Sequence, residues 1–144
     1  MTSKERQVAE IDDSVFELID FIGDTYGKER AVVLRSVDIY ERLLQPFGGD
    51  YNHQLMLSLI APEEIQRMYD IAFLYNQRII EHCSQHNVLI AMQGQDFCMN
   101  SGCILSPDSL RELYFPFMKK VNELIVQNEM IPFFKIISEF KKIK

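Results

Sequence analysis

Val88-Leu89-Ile90-Ala91-Met92-Gln93-Gly94-Gln95-Asp96 stands between two segments with helical spacing. Its first five residues form a short, unbroken apolar run, the pattern of a strand buried on both faces. The flanks decide how that strand is used. Upstream, within residues 62–86, Ile65, Met68, Ala72, Tyr75, Ile79, His82 and His86 recur at steps of three and four, one face of a long helix. Pro62 suits its first turn, and Glu63 and Glu64 complement the positive end of the helix dipole. Downstream, Ser106 is placed to cap a second long helix with Pro107 at its first position. Leu110, Leu113, Phe117, Val121, Leu124 and Asn128 mark its inward stripe, and Tyr114 and Phe117 read as core. Pro116 removes one backbone hydrogen bond and predicts a kink.

Two more apolar runs extend the pattern. Ala31-Val32-Val33-Leu34 reads as a strand buried on both faces, and Ile131-Pro132-Phe133-Phe134 as a third strand, with Pro132 near its start. Residues 37–47 read as a helix ended by Gly48-Gly49, and residues 52–60 as a shorter one. Near the start, Ser14 with Glu17 forms a capping box. Val15, Leu18, Ile19 and Ile22 then follow at helical spacing, and Gly23 and Gly27 mark the exit. Strands separated by long helices predict right-handed parallel crossovers and an α/β architecture.

The chain has 144 residues, the length of one ordinary domain. Hydrophobic content of 47% and charged content of 25% fit a soluble globular protein. A net charge of -6 argues against a nucleic-acid or anionic-membrane surface. Nothing approaches the roughly 18 consecutive apolar residues of a membrane span. The polar start, Met1-Thr2-Ser3-Lys4-Glu5-Arg6, does not read as a signal peptide. Three cysteines, an odd number without a secretory leader, suit a reducing cytoplasm better than a disulfide framework.

In parallel α/β folds, chemistry gathers where strands end and the next loops begin. The 94–105 loop occupies such a place. Asp96 there either accepts hydrogen bonds from a substrate and orients a proton-transfer group, or caps local backbone amides as a turn carboxylate. Cys98, Cys103, His82 and His86 carry donor types suited to zinc. Against a metal site, the cysteine spacing is wider than the usual paired motif and no second pair follows. The end of a helix also favours histidine through its dipole alone. Arg35, just past the first strand, suits a carboxylate, a phosphate or an ion pair. There is no glycine-rich phosphate cradle and no Ser–His–Asp set.

Gly94-Gln95-Asp96-Phe97, followed by residues 102–120 with Leu105-Ser106-Pro107 and Pro116-Phe117-Met118-Lys119-Lys120, resembles the uroporphyrinogen decarboxylase superfamily. In that family a strand ends in an acidic pair, a glycine-containing loop follows, and a helix opens at Ser-Pro. Ala61-Pro62-Glu63-Glu64-Ile65 and the helix after it match as well, and weaker similarity runs back to about Lys28, including residues 33–49. The resemblance covers residues 28–135, preceded by a helical segment, 1–27, and followed by a divergent basic tail, 136–144. It implies an incomplete (β/α)8 TIM-barrel-like fragment with about three parallel strands. Members decarboxylate uroporphyrinogen without a cofactor, or move methyl groups between corrinoid proteins and thiols with zinc. The Ser-Pro loop here is slightly closer to the methyltransferase-like branch. The implied partners are a tetrapyrrole or a corrinoid protein, with a homo-oligomer as a further expectation.

Carried over residue by residue, the resemblance puts Asp96 and Phe97 at the substrate end of the barrel. Gln95 replaces the usual first acidic residue, so a proton-transfer or ligand role at that position is in doubt. The family's N-terminal arginines and aspartate have no counterpart. Methyltransferase-like members continue after the strand at 131–135 with His-x-Cys-Gly, the start of their zinc site. This chain reads Ile136-Ile137-Ser138-Glu139. Cys98 and Cys103 are then incidental, and zinc belongs only to a full-length relative. The loss of pattern after Lys135 predicts a frameshifted or split product, and the alternative is a non-catalytic α/β module that binds a partner or itself.

Overall fold

Three strands that all run the same way organise the chain. A computed structural model describes residues 12–35, 50–95, 98–99, 102–103 and 105–136. The strands are β1 (Val33–Arg35), β2 (Ile90–Gln95) and β5 (Ile131–Ile136), in the order β1-β2-β5 and parallel throughout. Val33 aligns with Ile90 and Ile90 with Ile131, which sets the register across the sheet. A separate two-stranded antiparallel ribbon, β3 (Cys98–Met99) and β4 (Gly102–Cys103), lies between β2 and the next helix. The predicted helix at 37–47, the residues Asp96 and Phe97, and the tail 137–144 lie outside the described residues.

The helices are α1 (Glu17–Tyr26), α2 (Tyr51–Ile60), α3 (Pro62–Gln85) and α4 (Phe115–Gln127). Asp50 caps α2 by accepting a hydrogen bond from the Asn52 amide at 2.8 Å. Ser106 caps the segment before α4, its Oγ accepting from the Ser109 amide at 3.0 Å. That segment is a single turn, Pro107–Ser109, followed by a π-helical stretch, Leu110–Tyr114. Pro116 follows this stretch in the first turn of α4, where its missing donor is tolerated, and the carbonyl it leaves without an α-helical donor is that of Glu112, inside the π stretch.

Three expectations are corrected. Asp12, not Ser14, is the N-terminal cap: its carboxylate accepts from the Ser14 amide at 2.9 Å, and a 3-10 turn, Asp13–Phe16, precedes α1. Within that segment Val15 and Leu18 are exposed, and Phe16 is buried in their place. The inward stripe of α3 is Ile65, Tyr69, Ala72, Asn76, Ile80 and Cys83, rotated from the expected one by a residue beyond Ile65 and Ala72. The third correction concerns β1, which is an edge strand with Val33 46% exposed, not a strand buried on both faces.

The core lies on one side of the sheet. Ala91 is fully buried there with Tyr69, Phe117, Val121 and Ile125. Gln93, also buried, donates from Nε2 to Asn122 Oδ1 of α4 at 2.9 Å, which satisfies an amide that would otherwise be costly in this position. Side chains alternate along a strand, so Val33, Arg35, Ile90, Met92, Ile131 and Phe133 point to the other face. Ile131 and Phe133 are each about half exposed on that face.

The two helix-to-strand turns share one geometry. After α3, Val88 N–H donates to the Cys83 carbonyl; after α4, Met130 N–H donates to the Ile125 carbonyl and Glu129 N–H to that of Val126. These are Schellman closures, and each puts one residue in the left-handed region: Asn87 and Glu129, both at φ 58°. Val88 and Met130, the next residues, are buried at the base of the sheet. Asn tolerates that conformation, whereas Glu carries a steric cost. Glu129→Gly is expected to stabilise the chain by about 1 kcal/mol, read as a higher urea midpoint with an unchanged slope.

Candidate functional site

The two ends of the sheet hold different chemistry. At the carboxyl end, β2 closes with Gly94 and Gln95, and the β3–β4 ribbon follows at once. Cys98 and Cys103 are cross-strand neighbours in that ribbon. Gly102, at φ 137°, sits in a conformation that favours glycine. Asp96 and Phe97, the residues read as a substrate rim, lie outside the described residues. Arg35 ends β1 in register with Met92 and Phe133.

Among the described residues, no group of three metal-type side chains gathers at the carboxyl end. The histidines that the sequence singles out lie elsewhere.

At the amino end of the sheet, His82 and His86 leave the last turn of α3 and meet α1. Two glycines let α1 come this close. A Cβ on Gly23 would stand 1.9 Å from the carbonyl oxygen of His86, and one on Gly27 would stand 2.5 Å from the Cβ of Asn87. The approach brings Asp20, His82 and His86 together, with one ligand-type atom of each within 4.8 Å of the others. Asp20 Oδ1 lies 2.5 Å from His82 Nε2 and 3.7 Å from His86 Nδ1. Asp24 adds a second carboxylate, its Oδ2 3.3 Å from His86 Nδ1.

The ring stack fixes the imidazoles. His82 lies 4.1 Å from the buried Phe16 ring, nearly parallel to it, and 4.6 Å from the His86 ring at 15°. Arg78, one turn earlier on α3, is engaged by Asp13 at 2.6 Å and lies over the Phe16 ring. The cluster stays in contact with solvent, since His82, His86 and Asp20 are each about a quarter to a third exposed. Neither aspartate was picked out by sequence reasoning. The available signal was spacing: Asp20 and Asp24 repeat at four residues, as His82 and His86 do.

Cys83 points the other way, into the core. Burial pushes its thiol up to about 11, with the charge of Asp20 adding to the effect. Next to the cluster, between Gly27, Ser84, Asn87, Asn128 and Met130, is an open depression of about 480 Å³. No described helix is long and apolar enough to cross a membrane.

No family model matches the chain, and no curated protein or solved structure is similar to it.

Two outcomes follow from this geometry. Gly23→Ala forces backbone against backbone and is expected to cost about 1–3 kcal/mol, read from the denaturant midpoint. Cys83 has a folded-state value above its ordinary 9.0. Its contribution is therefore fully present below pH 9.0 and lost as the pH rises through about 11. Thermal midpoints should fall across that window, and Cys83→Ala should flatten the fall; an equal fall in the variant assigns it to other groups.

Proposed function

We propose that the chain forms part of a barrel of the uroporphyrinogen decarboxylase type, with the 94–105 loop directed at a tetrapyrrole or a corrinoid. The observation that carries this reading is the sheet. Its strands follow sequence order, β1-β2-β5, all parallel, with the buried helical core on one side. An arc of a (β/α)8 barrel has that form, as does a single three-strand half of a doubly wound sheet, and the family resemblance favours the barrel. The face formed by Val33, Ile90, Met92, Ile131 and Phe133, apolar except for Arg35 at its edge, then corresponds to barrel interior.

On this reading Asp96 accepts hydrogen bonds from the substrate and Phe97 supplies an apolar contact beside it. Gln93, held by Asn122, keeps the end of β2 fixed beneath them. No step is assigned to zinc, because the donor set for it is not assembled at the strand ends among the described residues. Titration of the purified chain with uroporphyrin, and separately with a cobalamin, tests the proposal through ligand absorbance. Saturable binding to one of them, weakened at least about tenfold by Asp96→Ala, is the expected result. Saturable binding to neither would overturn it.

The exposed sheet face also favours a second reading, a non-catalytic module that pairs with another copy of itself. Parallel sheets are covered on both faces in stable proteins, and a second copy offers an apolar face of matching size. A homogeneous dimer with no response to either ligand supports this second reading over the first.

A further inference from the structure

We propose that Asp20, His82 and His86 form a binding site for a divalent transition-metal ion of the zinc class, with Asp24 as a nearby fourth oxygen donor. The proposal is independent of the barrel reading, because the cluster lies at the opposite end of the sheet from the 94–105 loop.

The donor chemistry comes first. Two imidazoles and one carboxylate suit zinc and its neighbours, whereas magnesium and calcium prefer sites built of oxygen alone. His82 and His86 are one turn apart on α3, a spacing that turns two imidazoles to one side of a helix, as in helical zinc sites. Asp20 answers them from α1, and its single oxygen Oδ1 faces both rings. A metal held at about 2.0–2.2 Å by such donors spaces them about 3.4 Å apart in a tetrahedron. The 3.7 Å pair already has that spacing. The 2.5 Å pair must open by about 1 Å, and the two stacked rings must turn out of parallel so that their lone pairs meet at one point, movements of side-chain torsions.

The surroundings add to the case. Both histidines sit at the end of α3, where the negative pole of the helix dipole favours a cation. Arg78, the nearby guanidinium, has Asp13 as its own partner. Partial exposure leaves an entry path and room for water to complete the shell. A bound ion would clamp α1 to α3 at the point where Gly23 already brings their backbones together.

Cys83 is buried in the core and turned away, and Cys103 lies in the β3–β4 ribbon after the other end of β2. Neither thiol belongs to the donor set.

The test is calorimetric titration of the untagged, chelator-stripped full chain with zinc chloride, with magnesium chloride as control. One zinc per chain, no magnesium binding and a raised thermal midpoint are expected. Asp20→Asn, His82→Gln and His86→Gln should each weaken zinc at least about tenfold, while His53→Gln, whose ring pairs with Asp50, leaves it unchanged. Cobalt substitution of the wild-type chain gives a second readout that survives if a variant fails to fold. Visible d–d bands without thiolate-to-cobalt charge transfer are expected. No zinc binding, zinc binding indifferent to His82 and His86, or a strong thiolate band would each overturn the proposal.

Discussion

The fold depends on β2, which is hydrogen-bonded along both edges, to β1 on one side and to β5 on the other. Ala91 and Gln93 carry its inner contacts: one presents only a methyl group and so lets the helices pack close, and the other needs Asn122 to be tolerable at all. Parallel pairing brings a constraint with it. Each crossover needs a helix, and helices placed by successive right-handed crossovers in one direction fall on one side. The other side of the sheet is then left with Val33, Ile131 and Phe133 largely uncovered. An apolar patch of this kind marks a surface that another element or molecule occupies.

The ends of the sheet divide the labour that the constraint leaves open. At the amino end, two Schellman turns and two close glycine contacts produce tight backbone packing and place four titratable side chains of α1 and α3 side by side. At the carboxyl end, the chain leaves β2 through a short ribbon before the capped turn at Ser106. Conservative packing at one end and irregular loops at the other is the usual partition in parallel α/β folds.

The helix boundaries at Pro62 and Ser106 were legible because caps and proline act locally. The parallel sheet was legible because apolar runs alternated with long amphipathic segments. The buried face of α3 was harder to see: Asn76, a polar letter, is fully buried, and Tyr69 carries more of the core than Tyr75. β1 looked like a doubly covered strand because an apolar run states what a strand needs and not what covers it. The histidine pair was visible as a spacing on α3, but its partners are some sixty residues away. Local sequence carries no term for that contact, beyond the matching four-residue repeat of Asp20 and Asp24.

Sedimentation equilibrium of the wild-type chain and of Phe133→Lys tests most directly whether the open sheet face is a buried surface in solution. Coverage of that face predicts a wild-type mass at least twice the 16.9 kDa of one chain, with the lysine variant shifted toward the single-chain mass. A wild-type chain that stays at 16.9 kDa across the micromolar range, with a variant identical to it, would contradict the account.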